Sequence, residues 1–245
     1  MLYRLTTWLL TVLTLASLNN AVFGQSAGES VLTVQQTTDF AIDGRGTAKN
    51  WSSATWIPIT PIATPGEPKQ GLNTRMKALY SSTGLYILFQ CEDSLLTASM
   101  EEDFATLWKE DVVEVFLWPN EQNPVYFEYE LSPLNYELLL LISNEGENYT
   151  SWRPFSYNKK IQTRHMTAAE GGPKSSGAAI RAWTAEFFIP YTLLHPLSNV
   201  PPDSGTRWRA NFYRIDYDRE QTLMSWQPVK KSFHEYKKFG TLLFE

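Results

Sequence analysis

The sequence predicts an all-β fold, a two-sheet antiparallel β-sandwich or jelly roll. Three observations carry that reading. Short runs rich in β-branched and aromatic residues recur at intervals of roughly 8–12 residues, with turn signals between them. No helical period extends beyond two turns. Neither an internal repeat nor a shift in composition divides the chain.

The elements follow in order. Asp43-Gly44-Arg45-Gly46 is a turn signal. Pro58, Pro61, Pro65 and Pro68 interrupt regular structure, so 57–73 is expected as a loop over the surface. Residues 74–80 and 85–91 read as the two strands of a hairpin, turned by Ser81-Ser82-Thr83-Gly84. Residues 111–118 alternate: Val113, Val115 and Leu117 take one face, and Val112, Glu114 and Phe116 the other. Further strands are expected at 125–131 and 136–142, with a turn at 144–148. The stretch 168–178, rich in Gly, Ser, Lys and Pro, reads as a mobile loop. A long strand over 179–189 runs into a short helical turn at 190–194. In 208–217, Trp208, Ala210 and Phe212 oppose Arg209, Asn211 and Tyr213. Residues 239–244 close the domain.

The N-terminus reads as a secretory signal over residues 1–24. Arg4 supplies the positive region, 8–18 the apolar one, and the expected cut precedes Gln25. Residues 25–36 form a polar leader, and 37–245 a single domain. No run reaches the roughly 18 apolar residues of a membrane span. The expected location is therefore secreted or periplasmic. A formal net charge of −5 without a basic run excludes nucleic acid and anionic membrane as natural partners. Cys91 is the only cysteine, so no internal disulfide forms, and its apolar neighbours place it in a buried strand.

Aromatic and acidic residues inside strand-like runs suit sugar binding better than most catalysis. Trp108 leads into the strand that carries Glu114. An indole face can stack on the C–H face of a sugar ring, and a carboxylate can accept two adjacent hydroxyls. Glu128 and Glu130 share one face of the 125–131 strand, beside Glu114. In Ser232-Phe233-His234-Glu235-Tyr236, Phe233 offers a second aromatic wall, while His234 and Tyr236 offer hydrogen-bond donors. Arg214, followed by Asp216 and Asp218, reads as a structural ion pair. His165, His195 and His234 show no metal-ligand spacing, and no catalytic motif stands out. The acidic turns Glu92-Asp93 and Glu101-Glu102-Asp103 are the oxygen-rich spots that suit calcium.

These motifs together resemble the family 9 carbohydrate-binding modules, within the wider DOMON-like sandwiches. The resemblance covers residues 39–245. It rests on Ile42-Asp43-Gly44 with Trp51, Leu85-Tyr86-Ile87 with Asp93, and Trp108 followed by Glu110-Asp111-Val112-Val113-Glu114-Val115-Phe116. Trp183-Thr184-Ala185-Glu186 with Ile189-Pro190, the stretch Trp208 to Arg214, Ser225-Trp226 and Phe239-Gly240 complete it. The resemblance implies a jelly roll that holds a saccharide or polysaccharide between two aromatic planes. Its first plane falls on Trp108 and its carboxylate on Glu114. A Trp of sugar-binding members falls near Phe233, and an Arg near Glu130, which reverses the charge. The expected site is Trp108, Glu114, Glu130, Phe233 and His234, with no catalytic residue and no required cofactor. The resemblance also allows structural calcium, and glycoside hydrolases acting on the same substrate as partners. Two alternatives stay open: a haem-binding or electron-transfer protein using Met166, Met224 or His234, and a glycoside hydrolase using Glu114 with Glu128 or Glu130.

Overall fold

Alternation of apolar and polar residues builds thirteen strands in the computed structural model, which describes residues 30–62, 72–146, 148–155, 162–218 and 220–245. They are β1 (Val31–Gln36), β2 (Ile57–Pro61), β3 (Thr74–Tyr80), β4 (Gly84–Glu92), β5 (Val112–Trp118), β6 (Val125–Leu131) and β7 (Glu137–Glu145). Then come β8 (Asn148–Pro154), β9 (Arg164–Glu170), β10 (Ala182–Pro190), β11 (Arg207–Asp216), β12 (Thr222–Ser225) and β13 (Gly240–Phe244). Short 3₁₀ turns at Lys49–Ser53, Leu107–Lys109 and Tyr236–Lys238 are the helical elements among the described residues.

One layer runs β8-β7-β6-β5-β11, with β12 and β13 both pairing to β11. The other runs β2-β3-β4-β10-β9. β2 also pairs with β12, and β1 pairs with both β13 and β3, so these two strands tie the layers together. The pairings of β1 are parallel, a departure from the purely antiparallel expectation. Between the layers lies the main core. Val113, Val115 and Leu117 of β5 and Phe127 and Tyr129 of β6 meet Phe89 of β4 and Phe187 of β10. Tyr129 and Phe187 have ring centroids 4.7 Å apart, so contact runs directly from layer to layer. Cys91 sits fully buried in this core, and burial pushes its thiol up to about 12.

Several segments differ from the sequence reading, β8, β12 and the first half of β9 being strands it did not expect. Residues 31–36, expected within the leader, form β1, because Leu32 and Val34 bury their side chains against the core. Residues 57–61, expected as loop, form β2; Pro58 and Pro61 are tolerated at its exposed positions. Residues 168–170, expected within a mobile loop, end β9. The expected signal segment and residues 63–71 lie outside the described residues.

Two buried polar clusters lock this frame. Glu186, fully buried on β10, accepts the backbone N–H groups of Asp43 (2.9 Å), Gly44 (2.8 Å) and Gly46 (3.2 Å), and Trp51 Nε1–H (2.8 Å). Those donors converge because Gly44 and Gly46 take φ values of +74° and +68°. Arg214 donates to Asp93 (2.8 Å) and Asp216 (2.7 Å), all three buried, as the structural reading of that arginine expected. Replacing Glu186 by Ala orphans four donors, two of them buried and two part-buried. Urea unfolding is expected to show a loss of about 2–4 kcal/mol. A loss below about 0.5 kcal/mol would show that the 43–51 segment is not held by this carboxylate.

Candidate functional site

The outward face of β5, β6 and β7 does not meet the other layer. It carries Val112, Glu114 and Phe116 on β5, Tyr126, Glu128 and Glu130 on β6, and Leu138, Leu140 and Ile142 on β7. Two loops and β8 cover this face and leave a groove of about 330 Å³, at the small end of ligand pockets. Trp108 and Phe233 both line it. So do Glu114, Glu128, His234, Tyr149 and Trp152, over an apolar floor that includes Leu140, Ile142 and Ile215. A second cavity of about 350 Å³, lined by Lys237 and Lys238, shares Tyr149, Lys231, Ser232 and His234 with the first. The two cavities adjoin at these shared residues.

Each wall is held from behind. Trp108 lies in the 3₁₀ turn before β5, over the buried Leu107. Tyr217 Oη–H donates to the Trp108 carbonyl at 2.9 Å. Asp111 accepts the backbone N–H groups of Thr97 (2.7 Å) and Tyr217 (2.8 Å), which anchors the loop on both sides. The indole remains half-buried, with its open side to the groove. Across from it, Phe233 stacks on Tyr213 with centroids 4.0 Å apart and planes 11° from parallel. Tyr213 Oη–H also donates to the Phe233 carbonyl at 2.7 Å. The Glu235 carboxylate accepts the backbone N–H groups of Lys230 (2.7 Å) and Ser232 (3.1 Å), closing the 230–235 loop on itself.

His234 lines the groove with Nδ1 at 2.7 Å from the Tyr126 hydroxyl. Burial lowers its pKa to about 4, so the ring is neutral at neutral pH. Tyr236, expected beside it as a donor, instead packs inward and donates to the Gly146 carbonyl at 2.6 Å. Glu130 is fully buried and does not line the groove; Glu114, its direct partner across the β5–β6 pair, does. The carboxylate floor therefore consists of Glu114 and Glu128, with Glu130 behind them.

These three glutamates are electrostatically exposed to one another. Among the described residues no lysine or arginine nitrogen approaches any of them within 4 Å. Both oxygens of Glu130 and Oε2 of Glu128 are buried without a well-formed hydrogen bond; the two carboxyl groups lean on each other, and the Trp108 backbone N–H lies toward Glu130. Burial raises the Glu128 pKa to about 8. Burial, followed by the charge of Glu128, raises Glu114 well above its ordinary value. Glu130 rises likewise, through burial and then the charges of Glu114 and Glu128.

Two wall residues escaped the sequence reading. Tyr149 (41 % exposed) and Trp152 (50 % exposed) stand on β8, which the sequence did not predict as a strand. Strand alternation would send residues three apart to opposite faces. The β7–β8 register, however, steps from Ser143↔Ser151 to Asn144↔Tyr149, a bulge that inserts Thr150. It turns both aromatics to the groove. Glu128 was named in the sequence beside Glu114, as one of two acids on a face and as a partner of Glu114 in the hydrolase alternative, but not in the expected sugar site.

The proposed haem ligands are not brought together. Met224 is buried in the main core, Met166 is exposed on β9 of the other layer, and His234 faces the groove. For calcium, Asp93, Asp111 and Asp218 each offer an oxygen, and these oxygens all lie within 4.8 Å of one another. Oδ1 of Asp218 is buried without a hydrogen-bond partner. An all-carboxylate set of this kind fits a hard cation. Of the two acidic turns singled out in the sequence, the first contributes Asp93; in the second, Asp103 accepts the Glu137 backbone N–H at 3.1 Å and Glu101 and Glu102 are exposed.

A family model described as carbohydrate family 9 binding domain-like matches residues 42–245, and the chain belongs to that family. An "Extracellular protein" of Arthroderma benhamiae is 27 % identical over 182 residues, spanning 70 % of this chain and 78 % of that protein. Among solved structures, a Bacteroides uniformis protein assigned to carbohydrate binding superposes with a TM-score of 0.73 at 18 % identity, covering 89 % of this chain and 100 % of its own. A family 9 carbohydrate-binding module of Caldicellulosiruptor kristjanssonii, in complex with cellotriose, gives a TM-score of 0.61 at 17 % identity, over 88 % of this chain and 94 % of its own. At these identities the structural matches establish the β-sandwich fold.

The glutamate cluster makes stability depend on pH in a fixed direction. A carboxyl whose folded pKa is raised holds its proton after the unfolded chain has released it. The folded state then binds more protons, and stability falls as pH rises from about 4.5, the ordinary glutamate value, toward about 8 for Glu128. Each such proton contributes a slope of up to about 1.4 kcal/mol per pH unit. Glu128→Gln should flatten this dependence and raise stability at pH 8, measured by urea midpoints at pH 5 and pH 8. An unchanged slope would show that Glu128 is ionised in the folded protein.

Proposed function

We propose that this protein is a non-catalytic carbohydrate-binding protein that works outside the cytoplasm. One observation carries the reading: Trp108 and Phe233, on separate loops, line a single groove floored by Glu114 and Glu128. A pyranose has apolar C–H faces and a polar rim. Aromatic walls suit the faces, and the carboxyl groups at the floor suit the hydroxyls. Protonated glutamic acids both donate and accept, which widens the hydroxyl patterns they can meet. Tyr149 and Trp152 add aromatic surface at the open side, and the adjoining cavity offers room for a second sugar unit. Family membership supports the same assignment, since C. kristjanssonii modules of this family are known in complex with cellotriose and with glucose. The extracellular relative and the expected signal segment support a place outside the cytoplasm. No helix among the described residues is long and apolar enough to cross a membrane.

Glycoside hydrolysis is supported less well. It requires an ionised carboxylate beside a protonated one, held apart by different surroundings. Glu114, Glu128 and Glu130 share one environment, and all are pushed in the same direction. In the proposed protein Asp93, Asp111 and Asp218 would hold structural calcium, where the cation would neutralise their mutual repulsion and brace the loop that carries Trp108.

Trp108→Ala is expected to weaken glycan binding at least tenfold, read by calorimetry with ligands chosen on a glycan array, while the melting temperature moves by less than about 2 °C. Loss of stability with binding retained would make Trp108 a core residue and remove the proposed site. Added calcium should raise the melting temperature and chelator should reverse it; no response to either would dismiss the three aspartates as a cation site.

A further inference from the structure

The groove has an unmet electrostatic requirement. Glu114 and Glu128 line it, and each is more than nine-tenths buried. Oε2 of Glu128 has no well-formed hydrogen bond, and Glu130 adds a third carboxyl directly behind. The nearest ionisable nitrogen, Nδ1 of His234, lies 3.9 Å from Glu128 and belongs to a ring that burial keeps neutral. Lys230 and Lys231 line the rim, but both are exposed and neither pairs with the glutamates. Buried carboxyl groups ordinarily have a positive partner or converging N–H donors, and elsewhere in this protein Asp93 and Asp216 share Arg214, while Glu186 and Asp111 accept backbone N–H groups.

A metal ion is a poor candidate for the missing charge here. Among the described residues, the acidic side chains whose oxygens converge within ligand distance are Asp93, Asp111 and Asp218, not the three glutamates. The groove surrounds its acids with aromatic rings, Trp108, Trp152, Tyr149 and Phe233. That setting favours an organic cation, which gains from ring faces as well as from carboxylates.

Resting on the carbohydrate-binding reading of the same groove, we propose that the preferred ligand is an amino sugar, whose ammonium group sits against Glu128 and Glu114 while its ring packs against Trp108. The ammonium supplies the absent counter-charge. A carboxyl that is protonated in the free protein ionises on binding, and its proton passes to solvent. The lysines at the rim oppose a second ammonium further along the groove, so the charged unit is the one that enters it.

Glucosamine, N-acetylglucosamine and glucose differ only in the substituent at one ring carbon, so they form the test. Titrated at pH 6.5, glucosamine is expected to bind at least tenfold tighter than the other two. That preference should fall below threefold in Glu128→Gln. Calorimetry in two buffers of different ionisation heat should show proton release for glucosamine and none for glucose. Equal or tighter binding of either neutral sugar overturns the amino-sugar inference and leaves carbohydrate binding standing. A preference undiminished in both Glu128→Gln and Glu114→Gln overturns the role of these carboxyls. Failure of all three sugars, together with a blank glycan array, overturns both readings.

Discussion

Everything at the groove depends on the register between β5 and β6. Their alternation sends Val113, Val115, Leu117, Phe127 and Tyr129 into the space between the layers. The opposite set, Glu114, Phe116, Tyr126, Glu128 and Glu130, must then face the other way. A slip by one residue would drive three glutamates into the main core, so the hydrophobic set fixes the register firmly. The same pairing places Glu114 directly opposite Glu130. Like charges in that position repel. The sheet is kept in register by its apolar face, and its other face absorbs the strain by holding protons.

The acids of this protein divide by what they meet. Glu186, Asp111 and Glu235 are saturated by backbone N–H groups, and Asp93 and Asp216 by Arg214. These carboxylates do structural work, pinning the 43–51 segment, the Trp108 loop and the Phe233 loop. Glu114, Glu128 and Glu130 lie within the same small domain without such partners. Buried carboxyl oxygens left unmet on the wall of a groove suit a ligand that brings donors to them.

Rigid walls and an unsatisfied floor complement each other. Phe233 is held by stacking and by a hydrogen bond through Tyr213, and Trp108 by Tyr217 and Asp111. The Phe233 ring and the Trp108 backbone are already held when a ligand enters, which spares part of the entropy of immobilising them. The less constrained contributions come from Tyr149 and Trp152, exposed on the edge strand β8. The groove thus has two fixed sides and one adaptable flank.

Local sequence determined most of the strands. Residues 74–80 and 125–131 were legible to the residue, because period-2 alternation with β-branched and aromatic side chains is itself the physical cause of the strand. The candidacy of Trp108, Glu114, Phe233 and His234 was also legible, from side-chain chemistry joined to a family resemblance. Tertiary structure alone decided the rest. β1 and β2 are strands because partners distant in sequence accept their backbones, despite polar or proline-rich composition. Glu130 and Tyr236 are buried outside the groove, and no local pattern records what lies above a strand. Tyr149 and Trp152 entered it through a one-residue bulge that breaks the very alternation by which sequence is read. That no lysine or arginine nitrogen among the described residues comes within 4 Å of the three glutamates is likewise a fact of three dimensions, which no local pattern records.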